Sequence, residues 1–121
     1  TELEWARRML VFAARAAGVD PLDTVFPRVS DDDGLRRETE FIKQLGFSGK
    51  SIIHPNQISI IHEVFNPTEQ EIEKALKIVN AAKEAAARGQ GAVSVDGRMV
   101  DIPVVKRAEY VLQRAGLSEV K

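Results

Sequence analysis

The chain has 121 residues, 44% hydrophobic and 29% charged, and its 17 Lys and Arg against 18 Asp and Glu leave a net charge of −1. That balance fits one domain or part of one, and it excludes a disordered chain, a membrane chain and the basic footprint of a nucleic-acid binder. Cysteine is absent, which excludes disulfide scaffolds and thiolate chemistry and suits a cytoplasmic protein. No apolar run is long enough to span a bilayer, and no signal-peptide pattern opens the chain, so neither a nucleic acid nor a membrane is an expected partner. The opening TELEWARR already reads as helix, so the chain is expected to begin partway through a larger protein.

The first helix is predicted over residues 2–17. Leu3, Ala6, Met9, Leu10, Ala13 and Ala16 form its apolar stripe. Trp5 and Phe12 widen that stripe, so substantial burial is expected. Gly18 and Pro21 end the helix. A short strand is predicted over 23–26, closed by Pro27. The loop RVSDDDG then offers caps for a helix over 34–45, whose inner face is Leu35, Phe41, Ile42 and Leu45. Gly46 stops it. A second strand is predicted over 50–53, ended by His54-Pro55. Two apolar strands around one helix make a βαβ unit with parallel strands. Parallel strands normally lie buried within a larger sheet, so partner strands are expected upstream of Thr1.

Beyond His54, Pro55 suits the first turn of a helix with Ile58, Ile61, Val64 and Phe65 on its apolar side. Asn66-Pro67 breaks it. Thr68 and Glu71 have capping-box spacing, and they open a long helix to Arg88. Its narrow stripe is Ile72, Leu76, Val79 and the alanines 75, 82 and 86. After Gly89-Gln90-Gly91 comes a hairpin turning at Asp96-Gly97, a dipeptide that tolerates positive φ. Pro103 leads into a final helix burying Val104, Val105, Ala108, Val111, Leu112 and Ala115. The organisation predicted is an α/β portion over 1–65 and a helix–β-hairpin–helix module over 66–121.

Few residues advertise chemistry. A metal site built on His54 and His62 would need further ligands that no spacing supplies. Asp31-Asp32-Asp33 precedes a helix, where acids favour the positive end of the dipole. Ser51, Ile52 and His54 lie at the carboxyl end of a parallel strand, the end that faces ligands in βα proteins. Asp101, two residues before Pro103, is explained on residue type alone as a helix N-cap.

Taken together, GKSIIHPNQI and GRMVDIPVVKRAE, in this order and spacing, resemble the C-terminal part of the citrate lyase β-subunit family. That family belongs to the HpcH/HpaI aldolase group of CoA-ester lyases. The resemblance implies an α/β fold, the C-terminal part of a (β/α)8 TIM barrel whose last two strands are 23–26 and 50–53. It makes residues 66–121 a lid. The implied activity is cleavage of a C–C bond in a 3-hydroxyacyl thioester, citryl- or malyl-like and carried on CoA or an acyl-carrier protein, to an acetyl thioester and an oxo acid. Mg²⁺ is the implied cofactor, a Lewis acid on the oxo acid, with its Glu and Asp ligands upstream of residue 1 and none in this chain. The backbone at Ser51 and Ile52 matches the family's thioester contact. Asp101 matches an acidic residue that one subunit's lid presents to its neighbour as a general acid–base, so a homo-oligomer, a homotrimer, is implied. The alternative is a non-catalytic lid module that docks on a partner barrel.

Overall fold

The computed structural model describes residues 2–117 as two units, which meet in sequence between Phe65 and Asn66. The first is an α/β unit with helix α1 (Glu2–Ala17), strand β1 (Leu22–Asp23), helix α2 (Asp32–Leu45), strand β2 (Gly49–Lys50) and helix α3 (Gln57–Phe65). The strands pair in parallel, Leu22 opposite Gly49 and Asp23 opposite Lys50. Among the described residues they pair with no other strand.

Local chemistry explains α2. The Asp31 carboxylate accepts a hydrogen bond from Gly34 N at 2.9 Å, and Asp32 and Asp33 follow in the first turn. The acids therefore serve the helix start, as expected from the dipole. Gly46 ends the helix at φ 105°, a left-handed conformation that favours a residue without Cβ. Leu35 and Ile42 are buried with Val11, Phe47, Ile60, Ile61 and Phe65, and Phe41 and Leu45 pack against this core.

Three expectations for this unit need correction. The strands are two residues each rather than the expected 23–26 and 50–53. The reason lies in competing partners. After Ser51 N donates to Asp23 O at 2.9 Å, the next ladder donor, Ile53 N, is taken by Gln57 Oε1 at 3.1 Å, while Lys50 Nζ holds Thr24 O at 2.7 Å on the far edge of the β1 segment. Second, α1 is not substantially buried. Val11 is its one buried residue, while Trp5 is 71% and Phe12 75% exposed. The helix meets the rest of the unit through Val11 and two charges, Arg7 and Arg15, the latter donating to Gly46 O at 2.8 Å, and its wider apolar stripe points to solvent. Third, Ile58 of α3 is exposed, and Gln57 holds the buried position instead.

The charge on Arg7 belongs to a buried network. Lys50 Nζ lies 2.8 Å from Asp23 Oδ2 and 2.9 Å from Glu38 Oε2. The latter is an ion pair without hydrogen-bond geometry, since Glu38 Oε2 is buried and accepts none. Arg7 forks between Asp23 Oδ1 at 3.1 Å and Glu38 Oε1 at 3.0 Å. Burial works against the Arg7 charge, but hydrogen bonding to Glu38 and the Asp23 carboxylate outweigh it, so the guanidinium is held above its ordinary value. The Lys50 and Asp23 side chains are 0% and 4% exposed, and charges so buried persist only when paired.

The second unit comprises helix α4 (Glu69–Ala87), strands β3 (Val93–Val95) and β4 (Arg98–Val100) and helix α5 (Ile102–Arg114). Thr68 caps α4, its hydroxyl accepting from Glu71 N at 3.1 Å. The hairpin is antiparallel with Val93 opposite Val100. Asp96 and Gly97 take φ 50° and 76°, the positive pair that a type I′ turn requires. Ala75, Ala108 and Leu112 form the core, with Ile72, Ile78, Val79 and Val111 against them. Here too the expected stripe shifts. Ala75 is buried as expected, but Leu76 and Ala86 are exposed, and Ala85 is buried in place of Ala86. Alanines on the facing sides of α4 and α5 let the two helices approach closely. No helix among the described residues is long and apolar enough to cross a membrane.

Removing the buried cation Lys50 from the four-charge network leaves the buried Asp23 and the half-buried Glu38 sharing a single partner, Arg7. Lys50→Met is therefore expected to lower stability by about 3–5 kcal/mol. Urea denaturation of the 121-residue chain measures this, and a loss below about 1 kcal/mol, the range of an exposed pair, would contradict it.

Candidate functional site

The candidate residues fall in both units. In the first, Ser51 and Ile52 follow directly on β2, at the carboxyl end of the parallel pair. Lys50 anchors the start of the segment. The Ser51 amide is spent on Asp23 O, so the expected contact through Ser51 cannot use its N–H. The Ser51 carbonyl and the Ile52 N–H take no hydrogen bond among the described residues, and both residues are exposed. One peptide unit, Ser51–Ile52, is thus open to an outside partner with one donor and one acceptor.

Further along, the His54 ring sits against Asn56, with Nδ1 2.7 Å from its side-chain oxygen. Asn56 Nδ2 donates to Val29 O at 3.3 Å. His62 is exposed on α3, as expected for a helix-surface histidine. Gln57, which the sequence reading passed over, bridges the loops after β1 and β2: Nε2 donates to Phe26 O at 3.1 Å while Oε1 accepts from Ile53 N. A signal for it exists. Gln57 stands on the same helical stripe as Ile60, Ile61 and Phe65, and a polar residue on an apolar stripe needs internal partners. Arg7 and Glu38 gave no such signal, because helix-surface charges are usually solvated.

In the second unit, Asp101 precedes α5 and caps it. Its Oδ1 accepts from Val104 N at 3.2 Å, and its carbonyl accepts from Val105 N at 3.0 Å. The second carboxylate oxygen takes no partner among the described residues, and the residue is exposed. Asp101 borders a groove of about 310 Å³ lined by Val93, Val100, Ile102, Val105, Lys106 and Glu109 among others. Ile102 beside it is 70% exposed. One oxygen fixed by a helix amide and one left open is a geometry suited to accepting or delivering a proton.

Among the described residues no group of three or more His, Cys, Asp or Glu is placed to hold a metal ion. The chemistry agrees: Asp31 is committed to a helix cap, and Asp23 and Glu38 to Arg7 and Lys50. These residues do not fit a magnesium site.

The model of the family of C–C bond lyases of the TIM-barrel fold matches residues 6–120. The chain belongs to this family. It is 46% identical over 114 residues to the citrate lyase subunit beta of Haemophilus influenzae, covering 94% of this chain and 39% of that protein. It is 37% identical over 114 residues to the mitochondrial citramalyl-CoA lyase of Rattus norvegicus, covering 94% of this chain and 34% of that one. The CitE protein of Mycobacterium tuberculosis, solved in complex with magnesium, acetoacetate and coenzyme A, superposes with a TM-score of 0.80 at 31% identity, covering 96% of this chain and 42% of that chain. The chain thus spans about two-fifths of the length of the citrate lyase β-subunits that it matches.

Asn caps a helix as well as Asp does, whereas Ala does not. Asp101→Ala is expected to cost about 1 kcal/mol of stability and Asp101→Asn only a few tenths. Thermal unfolding of the two variants checks this; equal losses would remove Asp101 from the capping role.

Proposed function

We propose that this chain supplies the C-terminal part of a lyase that breaks a C–C bond in a 3-hydroxyacyl thioester. The substrate is citryl- or malyl-like, carried on CoA or an acyl-carrier protein, and the products are an acetyl thioester and an oxo acid. The observation that carries this reading is the family match over residues 6–120, which spans both the open Ser51–Ile52 peptide and Asp101. That coenzyme A and magnesium accompany the CitE neighbour supports the choice of thioester and of a magnesium-dependent reaction.

On this reading residues 1–65 are the end of the barrel and 66–121 the lid. The Ser51 carbonyl and Ile52 N–H hold the thioester arm by backbone hydrogen bonds, which need no diagnostic side chain. Cleavage turns the 3-hydroxyl into the oxo-acid carbonyl, its proton passing to a base in the remainder of the barrel, and leaves the bonding pair on the acetyl carbon as an enolate. Asp101, as general acid, delivers a proton to that carbon through its open oxygen. In condensation the same oxygen takes it back. The exposed apolar side chains beside Asp101, Met99 and Ile102, suit a lid that closes on a neighbouring subunit of a homo-oligomer and strips water from the carbon being protonated. The magnesium ligands belong to the remainder of the barrel. A chain without cysteine suits the reducing cytoplasm.

Two outcomes test the proposal. In the full-length protein Asp101→Asn is expected to cut turnover by about 10²–10⁴-fold, the usual worth of general acid–base catalysis, with its unfolding midpoint nearly unchanged. Wild-type turnover in that variant would return Asp101 to a cap alone and favour a non-catalytic docking module. The 121-residue chain by itself is expected neither to bind Mg²⁺ in calorimetry nor to cleave citryl- or malyl-CoA, and appreciable lyase activity from it would sink the division of labour.

A further inference from the structure

We propose that Gln57 is a positioning residue, whose side-chain amide presets the open Ser51–Ile52 peptide for the thioester arm. The inference rests on the reading of that peptide as the thioester contact. Gln57 is 1% exposed, and both ends of its amide are used on backbone: Ile53 N on one side, Phe26 O on the other, each at 3.1 Å. Filling the core at this first position of α3 would ask only for Leu or Met. A buried amide is tolerable because its partners are complete, and what it adds over Leu is direction.

The direction follows from peptide planarity. In a trans peptide the C=O and N–H of one unit point opposite ways. The Ser51 N–H, held by Asp23 O, therefore sends the Lys50 carbonyl away from β1. Likewise the Ile53 N–H, held by Gln57 Oε1, turns the Ile52 carbonyl away from Gln57. The open Ser51–Ile52 unit lies between these two pinned peptides, and its own orientation has little freedom left. The sheet pins the first of them. Gln57 pins the second, where the parallel ladder has ended.

The same segment grips the opposite loop along its length. Lys50, Gln57 and Asn56 donate to the carbonyls of Thr24, Phe26 and Val29 respectively. Side chains from one short stretch thus stitch together the two loops that leave the carboxyl ends of β1 and β2. Asn56 also meets the His54 ring of its own loop, but Gln57 is the member of the set whose side chain holds a backbone N–H there, that of Ile53.

The test uses the full-length protein, with free CoA as the probe in calorimetry and amide exchange followed residue by residue. Gln57→Leu is expected to speed exchange at Ile53 about tenfold and to weaken CoA binding about tenfold, near the worth of one lost hydrogen bond. Exchange at Leu35 and Ile42 should hold. If Gln57→Leu does not fold, Gln57→Asn, one methylene too short to reach both partners, takes its place with the same expectation. Unchanged exchange at Ile53 overturns the clamp. Faster exchange with full CoA affinity in the folded protein makes Gln57 merely structural and overturns the positioning role. A wild-type protein that binds no CoA overturns the CoA-borne form of the thioester reading, and the proposed role in CoA binding with it, even where the exchange result holds.

Discussion

Two cations and two carboxylates, Arg7, Lys50, Asp23 and Glu38, meet around the buried Lys50–Asp23 pair of the first unit, with Arg7 and Glu38 partly exposed at its edge, and the rest of that unit is arranged around their mutual satisfaction. Each comes from a different element: α1, β2, β1 and α2. Burying such a set gains little net stability over apolar packing, because desolvation offsets the attraction. What it does provide is registration. A one-residue slip of β2 against β1 would turn Lys50 to the other face and strand both acids. A parallel pair of two-residue strands holds its alignment poorly by backbone alone, and here charge complementarity supplies the alignment.

From that fixed point the two loops at the carboxyl ends of the strands follow. The ladder ends at Ser51, and beyond it the side chains of Lys50, Asn56 and Gln57 hold backbone groups of both loops. Such an arrangement leaves one peptide unsatisfied at the surface while its neighbours are held. An exposed, oriented and unpaired backbone group is what a ligand-binding strand end offers in α/β proteins. The thin ladder and the open peptide are therefore two sides of one construction.

The helix–hairpin–helix unit solves a separate problem with lighter means. Its core is small, with alanines on both helices, and its hairpin ends in a residue that must start a helix and remain available. Asp101 meets both demands because a carboxylate has two oxygens, and the cap occupies one of them. Backbone geometry thus fixes the side chain without exhausting its chemistry.

Sequence by itself determined the helices, two of their caps and the hairpin turn, since these depend on near neighbours: Thr68 with Glu71, Asp101 ahead of Pro103, and Asp96-Gly97. For α2 it offered the loop's Ser and Asp residues as caps, and the structure selects Asp31 and starts the helix at Asp32 rather than Gly34. Motif order also sufficed for the family, and both Ser51–Ile52 and Asp101 were legible as candidates. Strand lengths were not, nor were the buried faces of α1, α3 and α4. The residues that hold the site, Arg7, Glu38, Lys50 and Gln57, emerged only from tertiary structure. Arg7 reaches Glu38 across 31 positions, and Gln57 reaches Phe26 across the same span. No local pattern encodes such partners, because a buried charge or amide looks like a solvated one until folding brings its counterpart within hydrogen-bonding distance.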